Sequence, residues 1–362
     1  MRPRSAPYFA SLDLIRFLAA AWVMLSHYAY IGPMRGLVPY GAAGGLIGYT
    51  GYLSFAAVSI FFTLSGFVML LTSESAAVPD YIAARFIRLA PGFLLCMTAT
   101  ALFLNWLHAP AAPDLATWFA NLVLVPQIFG YPFVDGVYWS LVYEAVFYGW
   151  IALLLLAGLA HRHTLPVVFA WLVVSIANSL LLHVGAAKYL LITSYSGTFA
   201  AGMVMWHAYR NGLRLVHLLL LAMAVYALSL GFVEFSILKY PGGETEPAGL
   251  ATRLISSAGV VAVVAAGIAF PMHRFSRRLA IGLGGISYPL YLLHQEIGFA
   301  AISDLARSLS IAQALFIVTG AVLAVSALVF YVWEKPVQRL LRQWKAGLFG
   351  RLVPDRLRQP AE

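Results

Sequence analysis

Charge is scarce in this sequence. Only 10% of the 362 residues are Asp, Glu, Lys or Arg, whereas 62% are hydrophobic. Because a soluble domain has about 25% charged residues, this composition excludes a soluble globular protein. It predicts instead an all-α, polytopic membrane bundle, in which apolar helices of about 20 residues cross the bilayer.

Cysteine is nearly absent as well, since Cys96 is the single one. A lone cysteine excludes an intrachain disulfide and any metal site built from several cysteines. The run His161-Arg162-His163 falls in a predicted loop and is more typical of a topology determinant than of a ligand pair. We therefore expect no metal site. No glycine-rich phosphate loop precedes a helix with a lysine, which argues against ATP-driven transport.

About ten apolar segments are long enough to cross a membrane. We predict spans at 12–30, 52–73, 85–106, 137–158, 166–183, 193–209, 213–232, 251–270, 279–302 and 310–333. One integral-membrane domain over residues 1–362 follows, with a basic tail at 334–362. Pro336 is predicted to stop the last helix, with Glu334 paired to a cytoplasmic arginine. The first segment is too long and too charged for a signal peptide, so we expect it to be retained.

The net charge of +9 reflects topology. Seventeen of the 23 Lys and Arg residues fall in segments on the side of the N-terminus, five fall on the other side, and one lies within a span. Since positive residues concentrate in cytoplasmic loops, this asymmetry predicts that both termini are cytoplasmic. The positive charge therefore does not indicate a nucleic-acid partner.

The first span contains two ionisable residues, Arg16 and His27, eleven positions apart. Eleven residues make about three helical turns, so both side chains share one face and lie about 16 Å apart. An arginine in a span costs about 2–3 kcal/mol or more, and such a cost indicates function. Because the first span runs outward, Arg16 is predicted near the cytoplasmic side and His27 in the outer half.

Two further spans carry polar residues at a comparable predicted depth. The fourth span runs inward and places Glu144 about 10 Å below the outer surface. The ninth span carries Ser287, Tyr291 and His294 on one helix face, at i, i+4 and i+7. A histidine with a carboxylate partner is typical of a general base, so His27 and Glu144 are candidates for that role. The alternatives are a histidine that only hydrogen-bonds a neighbouring helix and a glutamate paired structurally with Arg or Tyr.

Arg85 and Arg88 begin the third span at i, i+3 spacing. The N-terminal end of a helix favours anions, and two guanidinium groups there suit the phosphates of a nucleotide-bearing donor. The alternative is an ordinary positive flank. In the second span, Gly66 after Ser65 permits close approach of an acyl chain or of another helix.

Six motifs in this order resemble the acyltransferase-3 family of multi-span bacterial membrane acyltransferases. They are LDLIRFLAAAWVMLSH with Arg16 and His27, FFTLSGF with Ser65 and Gly66, RFIRL with Arg85 and Arg88, YWSLVYE ending at Glu144, SYPLYLLH from Ser287 to His294, and EKP from Glu334 to Pro336. The family is known for moving acyl groups, often acetyl from acetyl-CoA, to hydroxyl groups of surface polysaccharides, lipid-linked glycans or secreted small molecules. The resemblance implies a membrane-bound O-acyltransferase of the bacterial inner membrane, with acyl-CoA as co-substrate and no bound cofactor.

The resemblance also implies roles for single residues. It implies that His27 is catalytic and that Glu144 is its partner. It also implies that Arg16, Arg85 and Arg88 serve the donor and that Asp13 supports Arg16. To these we add Ser65 and Gly66 as donor-binding candidates and Tyr288, Tyr291 and His294 as supporting candidates. Direct transfer with His27 as base and a relay through an acyl-histidine both stay open. Some relatives carry an extracytoplasmic esterase-like domain; we expect it to be absent here, so that any relay to one would need a separate partner protein.

The leading alternative is a proton-coupled multi-span transporter that exports a polar or lipid-linked substrate. Intramembrane His and Glu would then relay protons. Inverted halves, each with broken helices, would favour this function, and the sequence pattern shows neither. A sensor or assembly scaffold is a second alternative, in which buried polar pairs serve packing only.

Overall fold

The computed structural model describes residues 7–41, 51, 53–239, 249–272 and 274–352. Its helices, in chain order, are α1 (Ala10–Met34), α2 (Ser54–Ser73), α3 (Val78–Trp106), α4 (Leu115–Asn121), α5 (Trp139–Leu156), α6 (Thr164–Leu182), α7 (Gly185–Leu190), α8 (Ser196–Asn211), α9 (Leu215–Lys239), α10 (Leu250–Ala269), α11 (Arg277–Leu293), α12 (Gln295–Leu305), α13 (Ile311–Leu328) and α14 (Lys335–Leu352). The described residues contain no strand, which confirms the predicted all-α bundle. The end of the predicted tail, 353–362, lies outside the described residues.

Eight helices in the described part of the chain are long and apolar enough to cross a membrane. They coincide with eight of the predicted spans. The predicted span 193–209 corresponds to α8, which has 16 residues. The predicted span 279–302 is divided at His294 between α11 and α12. The number of crossings and the side on which the termini lie stay predictions.

The core of the bundle lies where α2 and α8 pack against each other. A Cβ atom on Gly66 would overlap the backbone carbonyl of Phe199, and one on Gly202 would overlap the carbonyl of Thr63. Small residues allow this close approach. Because the hydrophobic effect does not drive helices together in lipid, van der Waals packing between closely spaced helices stabilises their association instead. Gly66 therefore belongs to a helix contact, the alternative that its sequence context had left open.

Two predicted helix boundaries are wrong. Helix α3 begins at Val78 with a proline in its first turn, so Arg85 and Arg88 lie in its third turn. Because the helix dipole acts only over the first turn, it adds nothing to anion binding at these arginines. Pro336 does not stop the last helix, since it lies in the first turn of α14, where proline is tolerated.

The chain passes from α13 into α14 through a π-helical segment, Val329–Glu334. Another π-helical segment, His27–Ile31, lies within α1. A π-helical turn holds an extra residue and re-aims the side chains that follow it. Both segments include an ionisable side chain that the sequence had marked, His27 in the first and Glu334 in the second.

Candidate active site

A cavity of about 350 Å³ lies between α1, α2, α3, α5 and α11. Its polar lining combines four arginines, one carboxylate and several hydroxyl groups: Arg16, Arg85, Arg88, Arg342, Glu144, Ser65, Ser140, Ser287, Tyr148, Tyr288 and Tyr291. We call it the arginine cavity. It brings together the three predicted donor arginines, and it adds Arg342 from α14, which sequence reasoning had treated only as a topology marker.

Two of the cavity arginines are neutralised by carboxylates. Arg16 Nη1 lies 3.3 Å from Asp13 Oδ1, one turn away on α1. Arg88 Nη1 lies 3.4 Å from Glu334 Oε2, and the Glu334 side chain is fully buried. The arginine that was expected to pair with Glu334 is thus Arg88. A buried carboxylate without a partner is strongly destabilising, so the pairing with Glu334 holds Arg88 in place. The ring of Tyr288, 5.2 Å from the guanidinium carbon of Arg88, is a second contact.

Arg85 differs, because no described carboxylate forms an ion pair with it. Its Nη1 lies 3.2 Å from Met69 Sδ, and its guanidinium carbon is 5.8 and 6.0 Å from the ring centres of Tyr81 and Tyr148. Its Nε is buried without a hydrogen-bond partner among the described residues. Leaving a buried donor unpaired costs about 1–3 kcal/mol, so this arrangement favours an anionic ligand that accepts from it.

Glu144 is held by two hydroxyl groups. Ser65 Oγ of α2 donates to Glu144 Oε1 over 2.9 Å, and the Tyr148 hydroxyl, one turn along α5, donates to the same oxygen. Ser65 therefore lies beside the cavity, as the donor assignment requires, but it also ties α2 to α5. Sequence reasoning missed Tyr148, although its i, i+4 spacing from Glu144 was a signal.

His27 and His294 form the second polar group of the site. His27 Nδ1 lies 3.0 Å from His294 Nε2, and both side chains are buried. His294 lies at the break between α11 and α12, and its Nδ1 is 2.9 Å from the carbonyl oxygen of Tyr291 and 3.1 Å from that of Leu290. The structure thus places a histidine, and not Glu144, beside the ring of His27.

These contacts assign the protons of the pair when both rings are neutral. A carbonyl oxygen only accepts, so His294 Nδ1 carries a proton and donates it. His294 Nε2 is then the acceptor, and His27 Nδ1–H donates to it. The lone pair of His27 is therefore on Nε2, which is the form that a general base needs.

The predicted common depth of Glu144 and the histidines is wrong. Ser140 Oγ lies 2.8 Å from the Tyr291 hydroxyl, which fixes α5 against α11 at this level. The two helices run in opposite directions. From this contact, His294 lies three residues along α11 and Glu144 lies four residues along α5, so the two are about 10 Å apart along the bundle. The reason is that α5 starts inside the bundle, since Asp135 just before it is fully buried.

Tyr291 connects the two groups. It lines the arginine cavity, and its ring centre is 5.7 Å from that of His294 and 5.8 Å from that of Phe61. The histidine pair thus lies one aromatic ring beyond the cavity. Along α1, Arg16 at the cavity and His27 at the pair are separated by about three turns, or roughly 16 Å.

The π-helical segment of α1 packs on α12 around His294. The Tyr28 hydroxyl donates to the His294 carbonyl oxygen over 2.7 Å. A Cβ atom on Gly298 would overlap the ring of Tyr28, so the absence of a side chain there lets the tyrosine reach. Residues 27 and 28 together therefore hold His294 by its ring and by its backbone. Such π-helical turns occur frequently at functional sites.

Comparison with known proteins identifies the family of this chain. Residues 9–332 match the model of the acyltransferase-3 family, described as an acyltransferase domain. The exopolysaccharide production protein ExoZ of Rhizobium meliloti (strain 1021) is 29% identical over 324 residues, which cover 82% of this chain and 94% of the relative. No solved structure matches this chain. The family resemblance carried by the six motifs is confirmed: the chain belongs to the acyltransferase-3 family, and it is a multi-pass membrane acyltransferase.

Proposed function

We propose that this enzyme transfers an acyl group, in particular acetyl from acetyl-CoA, to a carbohydrate hydroxyl of a surface polysaccharide, a lipid-linked glycan or a secreted glycoside. The observation that carries the proposal is the buried His27–His294 pair, one aromatic ring beyond a cavity in which Arg85 has no carboxylate partner among the described residues. The cavity supplies positive charge for phosphates, and the pair supplies a base. The relative ExoZ, named for exopolysaccharide production, supports a polysaccharide acceptor.

The donor is proposed to bind with its nucleotide phosphates at the arginine cavity. Arg85 is the first candidate contact, because its buried Nε has no partner among the described residues. Arg16 and Arg88 add positive charge but are already paired with Asp13 and Glu334. The thioester arm then extends along α1 past Tyr291, so that the carbonyl carbon reaches His27.

The proposed chemical step uses His27 Nε2. As the acceptor oxygen attacks the thioester carbonyl carbon, its proton passes to Nε2, a C–O bond forms and the C–S bond breaks. The thiolate of coenzyme A then takes the proton from the imidazolium. The contact between His27 Nδ1 and His294 Nε2 orients the ring throughout. In the relay route, Nε2 instead attacks the thioester, and the acceptor hydroxyl attacks the acyl-histidine; both routes need the same lone pair.

The proposed location is the bacterial inner membrane. The predicted topology opens the arginine cavity to the cytoplasm, where acyl-CoA is found, and turns the histidine pair toward the acceptor side. The acyl group would thus move along the bundle, with the three turns between Arg16 and His27 spanned by the donor's flexible arm.

Complementation of a deletion strain tests the proposed function. The strain receives the wild type, H27A, or H183A, which removes an exposed histidine at the end of α6. Mass spectrometry of the surface glycans should show that the wild type and H183A restore acyl groups and that H27A does not. Restored acylation with H27A, at equal protein levels in the membrane, would contradict the assignment of His27.

A further inference from the structure

Helix α14 runs antiparallel along the first turns of α3. At one end, Gln338 Nε2 lies 3.3 Å from the carbonyl oxygen of Arg88. At the other end, Lys345 Nζ lies 2.5 Å from Asp80 Oδ1. Eight residues of α14, 338–345, thus lie alongside nine residues of α3, 80–88. The basic segment that the sequence presented as a tail is, through residue 352, a helix docked on the donor side of the bundle.

This register places Arg342 beside Arg85. Arg342 lies about midway between the two anchoring contacts, and the residues opposite it on α3 are Ala84 and Arg85, which line the arginine cavity together with it. Within the described residues, neither arginine forms an ion pair with a carboxylate. Two like charges repel each other in a partly buried cavity, so this edge is stabilised when an anion lies between them.

The opposite face of α14 is apolar. Leu340 and Trp344, one turn apart, are 65% and 66% exposed. A helix with basic residues on one face and a tryptophan on the other is suited to the membrane interface. The interface and the two contacts with α3 therefore both fix the rotation of α14, with Arg342 turned toward the cavity.

We propose that Arg342 and Arg85 together form a phosphate subsite for the nucleotide part of the acyl-CoA donor. The inference rests on the proposed function, since it assumes a coenzyme A donor. Arg342 also lies beyond residue 332, where the match to the family ends. The subsite is thus built partly by a helix outside the family domain. Guanidinium groups suit this ligand because each presents several N–H donors to phosphate oxygens.

Titration calorimetry of the full-length protein in phosphatidylcholine nanodiscs tests this subsite. Coenzyme A is titrated into the wild type, R342Q and R339Q; the last removes an equal charge from the same helix at a position outside the cavity lining. R342Q should weaken coenzyme A binding about tenfold, as expected for the loss of one charge-assisted contact, and R342K should recover part of the loss. R339Q should bind as the wild type does. Pantetheine, which carries no phosphate, should bind R342Q and the wild type equally.

Four results would overturn the inference. Unchanged coenzyme A affinity in R342Q would remove Arg342 from the donor site while leaving the proposed function intact. An equal loss in R339Q would assign the effect to overall charge. An R342Q effect seen only in phosphatidylglycerol nanodiscs would assign Arg342 to a lipid headgroup. If the wild type binds no coenzyme A in either lipid, the donor in the proposed function falls together with this inference.

Discussion

At the residue scale, the position of one proton decides what His27 is able to do. The backbone carbonyls of Leu290 and Tyr291 hold a proton on His294 Nδ1, and this leaves Nε2 as an acceptor for His27. His294 does not touch the substrate in this account. It is a positioning residue, which selects the His27 tautomer with its lone pair on Nε2.

Substitution of His294 tests this positioning role. H294L removes the acceptor, so the acyl-transfer turnover should fall about a hundredfold with little change in the half-saturating donor concentration. H294Q keeps a side-chain oxygen that accepts from His27 and should retain more activity than H294L. Steady-state kinetics of both variants, with thermal unfolding as a folding check, measure the difference.

E144Q is the matched comparison for the His294 variants. A glutamine retains an oxygen that accepts from Ser65 and Tyr148, so these two hydrogen bonds are kept while the negative charge is removed. Since His294 and not Glu144 faces His27, we expect E144Q to leave the pH dependence of turnover unchanged. A pH profile that shifts in E144Q but not in H294Q would restore Glu144 as the partner of His27.

The single residues of the site were largely predictable, whereas their partners were not. The free-energy cost of placing an ionisable residue in a membrane span indicated Arg16, His27 and Glu144. Helical periodicity added Tyr291 and His294. The sequence predicted Glu144 as the partner of His27, whereas the structure places His294 beside it; the difference arises because depth was counted from the ends of ideal spans. A buried segment before α5 shifts that count, and no hydropathy pattern reveals such a shift.

At the element scale, the interruptions of helices matter more than their regular parts. The π-helical segment His27–Ile31 and the break at His294 face each other, joined by the hydrogen bond from the Tyr28 hydroxyl. Each interruption frees backbone groups that a regular helix would use, and here the His294 ring and the Tyr28 hydroxyl bond to such groups. A broken helix is also a feature of transporters. Here, however, it lies at the candidate site of a member of an acyltransferase family.

Substitution of Gly298 tests the contact between these two interruptions. In G298A the new methyl group would displace Tyr28 and weaken its bond to the His294 backbone, so unfolding should be easier by about 1–3 kcal/mol. Turnover should fall as well. G320A is the control, since a Cβ on that α13 glycine meets no atom within 4 Å. Thermal unfolding in detergent compares the two; equal melting temperatures would contradict the packing argument.

Helix boundaries were the least predictable part of the fold. The start of α3 was placed seven residues late, because its first turns carry charges and a proline that resemble a loop. The end of the last helix was placed at Pro336, and the π-helical segment that lets α14 continue has no simple sequence signature. These two errors concealed the contact between α14 and α3, and with it Arg342.

At the scale of the whole molecule, the orientation in the membrane decides which substrate reaches which end of the site. The asymmetry of Lys and Arg predicts that the arginine cavity faces the cytoplasm. The composition alone gave the membrane bundle, and the six motifs gave the family. The orientation of the bundle in the membrane is a separate prediction, and the direction in which the acyl group moves depends on it.

Thiol labelling of variants with one added cysteine tests the orientation. The native Cys96 is fully buried, so the wild type should react little with a membrane-impermeant maleimide. A111C, in the exposed loop after α3, should be labelled in intact spheroplasts. R162C, in the exposed turn before α6, should be labelled only after permeabilisation. The reverse pattern would turn the arginine cavity outward and remove the cytoplasmic donor from the account.

The most direct test of the central claim is acyl transfer by the purified protein from radiolabelled acetyl-CoA. The account predicts that the wild type and H183A release or transfer the labelled acetyl group. H27A should unfold at the same temperature as the wild type, and its activity should be at least about a hundredfold lower. Undiminished release of acetyl from acetyl-CoA by H27A would contradict His27 as the catalytic residue.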